Sequence, residues 1–244
     1  MSEKTSISFY GLKVTHERRF FAWLAASIAI LVFVGFARTY YLHSFFDTPK
    51  LSTFLHVHGA IMTGWIVLFA AQTFLIASHR VPIHRALGMF GAGYAALVVI
   101  MGCTATVLAA RREVLAHSQY VSGFLTVLAL ELTQMLLFAS LVASGVWLRN
   151  RGGYHKRLML LATFCILPNP IVRLFIWAGF GSNIIILSVW ASLVAIVVFL
   201  DCLRNRRLHP AFGFGANITI AFLYFVYFGS RTPFWQHFAA RAVS

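Results

Sequence analysis

Residues 118–148 read SQYVSGFLTVLALELTQMLLFASLVASGVWL, an apolar stretch that contains a single charged residue, Glu131. A helix needs about 20 apolar residues to cross the hydrocarbon core of a membrane, so this stretch is long enough to span it. Six further runs have the same character, at about 20–35, 50–78, 82–110, 154–178, 181–200 and 211–229. The sequence therefore predicts an all-α membrane bundle of about seven transmembrane helices. We expect spans two to five to form its four-helix core.

The composition agrees with a membrane protein. Of 244 residues, 60% are hydrophobic and 11% are charged, and the mean hydropathy is +0.80. Soluble domains have about 45–50% apolar and about 25% charged residues, so an ordinary soluble enzyme and a disordered chain are excluded. The three cysteines form no CxxC pair, and we assign them no redox role. We expect an N-terminal cytoplasmic segment (1–19), one transmembrane domain (20–230) and a short C-terminal tail (231–244).

The net charge of +14 is best explained by loops that anchor helix ends to anionic membrane lipids, and we expect no nucleic-acid partner. With the N-terminus in the cytoplasm, 13 of the 20 basic residues fall on the cytoplasmic side and 6 on the opposite side. Positive charge concentrates on the cytoplasmic side of membrane proteins. This bias predicts a multi-pass protein of the bacterial inner membrane with a cytoplasmic N-terminus. A six-span alternative merges or drops the sixth or seventh run.

Local signals set some of the expected boundaries. Asp47-Thr48-Pro49 is typical of a helix start, because a capping residue precedes a proline at the first helical position. Gly152-Gly153 separates the fourth and fifth spans. Pro168-Asn169-Pro170 predicts a break or kink inside the fifth span, since proline lacks the amide hydrogen that the helix needs.

Polar residues within the spans are candidates for function, because an ionisable group in a bilayer costs about 2.5–3.5 kcal/mol on insertion scales. The candidates are Glu131 in the fourth span, Arg173 and Asn169 in the fifth, and Gln72 in the second. Glu131 and Arg173 are expected to face the bundle interior. Two interpretations stay open: a structural ion pair, or a role in handling a proton or a substrate.

Histidines form the most informative pattern. His56 and His58 lie toward the outer end of the second span, His117 precedes the fourth span on the outer side, and His84 and His155 open the third and fifth spans on the inner side. Two imidazoles on facing helices can hold a haem iron from opposite sides. The pattern predicts two b-type haems, an outer one held by His117 with either His56 or His58, and an inner one held by His84 and His155. No CxxCH motif is present, so covalent haem is excluded.

Other uses of these histidines stay open. Each could instead bind lipid head groups or cap a helix. His56-Val57-His58 could hold copper, although two ligands make a weak motif. Basic residues near the expected propionates of the inner haem are Arg85, Lys156 and Arg157, and those near the outer haem are Arg111 and Arg112.

Two resemblances follow from these motifs. The segments HVHG (56–59), HRVPIHRALG (79–88) and HKRLM (155–159), followed by Arg173, resemble bacterial multi-pass membrane proteins of unknown function over residues 38–178. The placement of one histidine on each of four consecutive spans is similar to the di-haem transmembrane cytochrome b family, which carries electrons from ascorbate to ferric iron. That resemblance implies haem ligation by His56 or His58, His84, His117 and His155. The chain differs from that family in its seven spans and in lacking an ascorbate-site motif.

The sequence is therefore compatible with three functions. The first is a b-type haem electron carrier or oxidoreductase. The second is a protein that binds or transports a small molecule or an ion at the broken fifth span, and the third is a non-catalytic accessory subunit or assembly factor. The last implies a partner in a larger membrane complex, and a homo-oligomer is also compatible with the 16% aromatic content.

Overall fold

The computed structural model describes the backbone of residues 2–46, 48 and 50–244, and side chains from residue 16 onward within those ranges. The described part is a helical bundle, which confirms the predicted fold class. Its helices are α1 (Ser2–Phe36), α2 (Thr53–Ala77), α3 (Val81–Leu115), α4 (Val121–Trp147), α5 (Gly152–Cys165), α6 (Pro168–Trp177), α7 (Asn183–Asn205), α8 (Pro210–Gly229) and α9 (Pro233–Val243). A π-helical turn (Ala37–Tyr41) and a 3₁₀ turn (His43–Phe45) follow α1.

Seven segments are long and apolar enough to cross a membrane, in agreement with the predicted number: His16–Tyr41, Thr53–Ala77, Val81–Leu115, Val121–Trp147, Gly152–Trp177, Asn183–Asn205 and Pro210–Gly229. Because successive spans alternate in direction, the starts of spans one, three, five and seven lie at one end of the bundle. We call this the proximal end and the opposite one the distal end. Large apolar side chains such as Val67, Phe74 and Ile100 are exposed on the outside, where they contact lipid in a membrane.

The fifth span is broken where its sequence predicts. α5 ends at Cys165 and α6 begins at Pro168, so the span consists of two helices. Pro168 cannot donate to the carbonyl of Phe164. That carbonyl accepts from the Leu167 amide at 3.1 Å and from the indole Nε1 of Trp190 at 2.7 Å. A tight backbone turn and a residue of α7 thus together satisfy the carbonyl that the proline leaves without its helical donor.

Spans four and five form the centre of the bundle. In the most apolar 18-residue stretch of each of these two spans, 61% of the residues are buried, against 17–33% in the other spans. Trp65 of α2 joins this centre: its ring centroid is 4.8 Å from that of Phe138 in α4, and its Nε1 donates to Thr163 of α5 at 3.3 Å. α3 packs against both α2 and α4. Spans two to five therefore pack against one another in chain order, and spans four and five are the most buried of them.

Several boundaries differ from the sequence expectation. The second span begins at Thr53, where the Ser52 side chain accepts a hydrogen bond from the amide of Leu55. The expected start signal includes Asp47 and Pro49, which lie outside the described residues. α3 continues to Leu115, five residues beyond the expected end at 110.

Both ends of the chain contain helix. The backbone of the expected N-terminal segment is part of α1, which is continuous from Ser2 into the first span. The expected tail contains α9, whose Trp235 donates its indole hydrogen to the carbonyl of Leu125, at 2.9 Å. α9 is therefore packed onto the distal ends of α3 and α4.

Candidate functional site: a histidine pair at the proximal end

His84 and His155 are brought together at the proximal end, where α3 and α5 begin. Their ring centroids are 6.1 Å apart and their planes cross at 82°. Both side chains are half-buried. Two imidazoles that bind one metal from opposite sides, with metal–nitrogen distances of about 2.0–2.1 Å, have ring centroids about 6–6.5 Å apart. The observed separation therefore suits a single ion between the rings.

Backbone and side-chain contacts fix both rings. His155 Nδ1 lies 2.8 Å from the carbonyl oxygen of Gly145 in α4, and only a protonated Nδ1 can make this bond. The lone pair of His155 is thus on Nε2, which is the arrangement of most metal-binding histidines. On the other ring, Gln72 contacts Nδ1 of His84, so that Nε2 of His84 is also left for another partner.

The Gln72 amide satisfies its hydrogen bonds in one orientation beside His84. Its nitrogen then donates to Nδ1 at 2.5 Å and to the His84 carbonyl at 3.2 Å, while its oxygen accepts from the Gly88 amide at 2.8 Å. Nδ1 of His84 is therefore an acceptor here and Nε2 carries the ring proton. A metal at Nε2 would require that proton to move to Nδ1 and the amide to turn over, with the loss of its bonds to the His84 carbonyl and the Gly88 amide. Gln72 is therefore a partner of the candidate site, as well as a polar residue within a span.

The ligand count decides which kind of metal group fits. In the described part of the chain, no group of three or more His, Cys, Asp or Glu side chains could hold a metal ion. A bare zinc or copper ion is usually held by three or four protein ligands. A haem carries its iron in the macrocycle and needs only axial ligands from the protein, so a pair of histidines is sufficient.

His56 lies at the distal end, where it faces His43 instead of His117. The His56 and His43 ring centroids are 6.1 Å apart, and Tyr40 donates its hydroxyl hydrogen to the His56 carbonyl at 3.0 Å. His43 lies in the connection between the first two spans, so the sequence pattern does not predict it as a haem ligand. His56 is exposed, and His43 is half-buried.

His58 and His117 lie at different depths. Gln72 lies beside Gly88 and Leu68 beside Gly91, so the antiparallel helices α2 and α3 place His58 at about the level of Met101. His117 follows the end of α3, in a left-handed conformation with φ of 48°, and is exposed. From Met101 to Leu115 the helix rises about 21 Å, at about 1.5 Å per residue. The structure therefore does not bring His117 to the level of His58, and the expected outer pair stays a prediction.

Glu131 and Arg173 have different surroundings. Glu131 is half-buried on α4, four residues before Met135, which packs against Gly102 of α3. Arg173 is exposed on α6, with its guanidinium carbon 5.8 Å from the centroid of the Phe36 ring. Asn169 is half-buried beside the helix break. Among the described residues the salt bridges join other pairs, so a direct Glu131–Arg173 contact is not formed.

A buried charge network that sequence reasoning missed lies next to the histidine pair. Arg157 and Asp201 are 3% and 2% exposed, and the guanidinium donates to both carboxylate oxygens, at 2.7 and 2.9 Å. Lys156 forms a salt bridge with Glu17. Arg157 and Lys156, which were expected to bind haem propionates, are therefore already paired, whereas Arg85 is exposed beside His84.

His209 lies at the edge of this network, in the loop before α8. Its Nδ1 accepts a hydrogen bond from the amide of Ala211 at 3.2 Å, and its ring packs against Tyr154. Burial lowers the pKa of His209, and the nearby positive charge of Arg157 lowers it further. His209 is therefore more readily held neutral than an exposed histidine.

No protein-family model, no curated protein and no solved structure matches this chain.

Proposed function

We propose that this chain is an integral membrane b-type haem protein that carries electrons, with one haem held between His84 and His155. The observation that carries the proposal is the 6.1 Å separation of two imidazoles on different spans. The bond from His155 Nδ1 to the Gly145 carbonyl supports it, because it leaves Nε2 as the ligand atom. Bound in this way, haem would supply reversible one-electron chemistry.

The residues around the pair have separate roles in this proposal. Gly145 fixes the orientation and the tautomer of His155. Gln72 holds the His84 ring from the Nδ1 side, and metal binding through Nε2 would require the Gln72 amide to turn over so that its oxygen accepts from Nδ1. Arg85 is the basic residue available for a propionate. His84 and His155 together would hold the iron without leaving a site for a substrate, and the haem would then supply electron transfer and not the binding or activation of oxygen.

The geometry gives unequal support to a second haem. His43 and His56 have the same ring separation as the inner pair, but the described hydrogen bonds include none from either ring to a backbone carbonyl. His117 lies away from both His56 and His58. The proposal therefore assigns one haem to the chain, at the proximal end.

A visible spectrum tests this proposal. Protein purified after expression with ample haem should show b-type bands that appear on reduction. His84→Gln and His155→Gln should each abolish them, and the matched control His237→Gln should not, because His237 is exposed on α9. Colourless wild-type protein, or unchanged bands in both ligand variants, would overturn the proposal.

We also propose that the proximal end faces the cytoplasm of a bacterial cell, which places the haem near the cytoplasmic face of the inner membrane. The support is the concentration of basic residues at that end. In a variant without native cysteines, Leu208→Cys should react only with reagents that reach the cytoplasm. Gly181→Cys at the distal end should react from outside the cell. The reverse pattern would contradict this orientation.

A further inference from the structure

The outer face of α9 is exposed and aromatic. Phe234 and Phe238 are 80% and 56% exposed, and their rings stack with centroids 6.3 Å apart. On the other side of the helix, Ala239 and Val243 are buried against α3 and α4. The outer face therefore does not pack against the bundle, and a contiguous exposed aromatic surface of this kind marks a contact with a membrane or a partner.

Basic side chains share this face. His237 and Arg241 line one groove with Phe234 and Phe238, and steps of three or four residues along a helix return to the same side. Arg241 is exposed, and the salt bridges of the described residues do not include it. The face therefore combines apolar rings with a guanidinium that is accessible to an anion.

A second, apolar groove lies between α4 and α8 and leads to α9. Leu136 of α4 and Phe225 of α8 line it and are 60% and 72% exposed, so the groove opens toward lipid. Along α4 it extends from Ala129 to Leu136, about 10 Å at about 1.5 Å per residue. A Cβ at Gly229, which also lines the groove, would meet no neighbouring atom within 4 Å. The groove therefore has the free space and the length to hold part of an acyl chain.

Trp235 connects this groove to the outer face of α9. Its ring lines the groove, and the ring centroid is 6.0 Å from that of Phe238. Its indole donates to the Leu125 carbonyl at 2.9 Å, which fixes the ring in this position. Arg241 lies three residues beyond Phe238, less than one helical turn away. The apolar groove, the aromatic pair and the guanidinium are therefore continuous along one path.

The position of α9 suits the head-group region of a membrane. The helix begins at Pro233, four residues after the last span ends at Gly229. Helices with an aromatic face and basic residues lie at the boundary between head groups and acyl chains, and tryptophan is enriched at that level. The charge favours an anionic head group, because residues 202–244 contain no Asp or Glu. Glu113, at the distal end of α3, is paired with Arg112.

A second copy of this chain fits the surface less well. A two-fold contact through the outer face of α9 would set the same residues of both copies against each other. Two Arg241 guanidiniums would then meet without a carboxylate from α9, and like charges at an interface are unfavourable. An anionic lipid instead pairs with the guanidinium and extends the lipid contact that the spans already make.

We propose that α9 and the groove between α4 and α8 form a binding site for one anionic phospholipid of the distal leaflet. The lipid phosphate accepts hydrogen bonds from the Arg241 guanidinium. Phe234 and Phe238 cover the glycerol region, and one acyl chain follows Trp235 into the groove. This inference does not depend on haem, because the site lies at the opposite end of the bundle from His84 and His155.

Native mass spectrometry of the detergent-purified chain tests this site, with dioleoyl phosphatidylglycerol and dioleoyl phosphatidylcholine as the probes. The wild type should bind the phosphatidylglycerol more tightly. Arg241→Gln should weaken that binding by about tenfold, because it removes a charge-assisted hydrogen bond to the phosphate. The matched control Arg38→Gln removes the same charge at the distal end but should leave the binding unchanged, because Arg38 follows α1, which packs against α2 and α6.

Two further changes test the acyl groove and the occupant. Gly229→Leu fills the groove and should weaken the binding of both lipids alike. Photo-cross-linking from p-benzoylphenylalanine in place of Phe238 should join the chain to a phospholipid. Equal affinity of the wild type for both lipids, equal losses in Arg241→Gln and Arg38→Gln, or unchanged lipid binding in Gly229→Leu would overturn the proposal. A cross-linked pair of chains would also overturn it, and would assign the surface to a second copy.

Discussion

Removing Asp201 should strongly destabilise the protein, because the buried Arg157 guanidinium loses the carboxylate to which it donates two hydrogen bonds and keeps only Glu17, at 3.6 Å. The two side chains are 2% and 3% exposed and share two hydrogen bonds, at 2.7 and 2.9 Å. Breaking one side of a buried ion pair costs about 3–5 kcal/mol. We therefore expect Asp201→Ala to lower the free energy of unfolding by about 3–5 kcal/mol.

The measurement is an unfolding titration in mixed micelles with increasing SDS, followed by tryptophan fluorescence. Glu17→Gln is the control, since Glu17 also forms salt bridges, with Lys156 and, at 3.6 Å, with Arg157, but its side chain is 32% exposed. Partly exposed ion pairs contribute about 0–1 kcal/mol, so this variant should lose no more than that.

The double variant Arg157→Met/Asp201→Leu separates the missing charge from the missing packing. Replacing a buried ion pair with apolar residues of similar volume is often close to neutral, so we expect it to recover most of the stability lost in Asp201→Ala. Equal losses in Asp201→Ala and Glu17→Gln would refute the reasoning. So would a double variant less stable than Asp201→Ala.

Two further predictions concern packing and pH. A methyl group at Gly64 would overlap the Tyr94 hydroxyl, so Gly64→Ala should lower the free energy of unfolding by about 1–3 kcal/mol. Gly93 has open space around it, so Gly93→Ala should be neutral or slightly stabilising in the same SDS titration. Because the pKa of His209 is lowered in the folded protein, the unfolded chain binds the proton more tightly. The stability that this residue contributes is present above about pH 6.5 and is lost as the pH falls through the folded pKa. His209→Gln should flatten the decline of thermal stability on acidification, and an unchanged decline in this variant would contradict the assignment.

The spans and the broken helix were predictable because they depend on local properties. Apolar length alone identifies a membrane helix, and the missing amide hydrogens of Pro168 and Pro170 act on the carbonyls of their own helix. The side-chain partner of the Phe164 carbonyl was not predictable. Trp190 is 26 residues away, and only the packing of α7 against the break brings its indole there.

The two histidine pairs show the limit of the pattern argument. His84 and His155 both lie within a turn of their helix starts at the same end, so antiparallel geometry sets them at one level. The expected outer pair assumed that α3 ends level with α2. α3 has 35 residues and α2 has 25. Because α3 is longer, its distal end and His117 lie beyond the level of His58.

Asp201 was missed because an acidic residue near a helix end has no special character in the sequence. Its partner Arg157 is 44 residues away, at the start of another span. The sequence did contain one signal for this ion pair. Asp201 is a single acidic residue at the end of the sixth span, and basic residues cluster at the same end of the bundle. Opposite charges at one end of a helical bundle can therefore suggest an ion pair, but only the fold shows which basic residue pairs with Asp201.

The haem content of the purified chain tests the central claim most directly. Quantifying non-covalent haem per chain, in the wild type and in His155→Gln, distinguishes a chain with one haem at His155 from a chain with two haems and from a chain whose haem is bound elsewhere. The account predicts about one b-type haem per wild-type chain and none in His155→Gln. Two haems per wild-type chain, or a haem content in His155→Gln equal to that of the wild type, would contradict it.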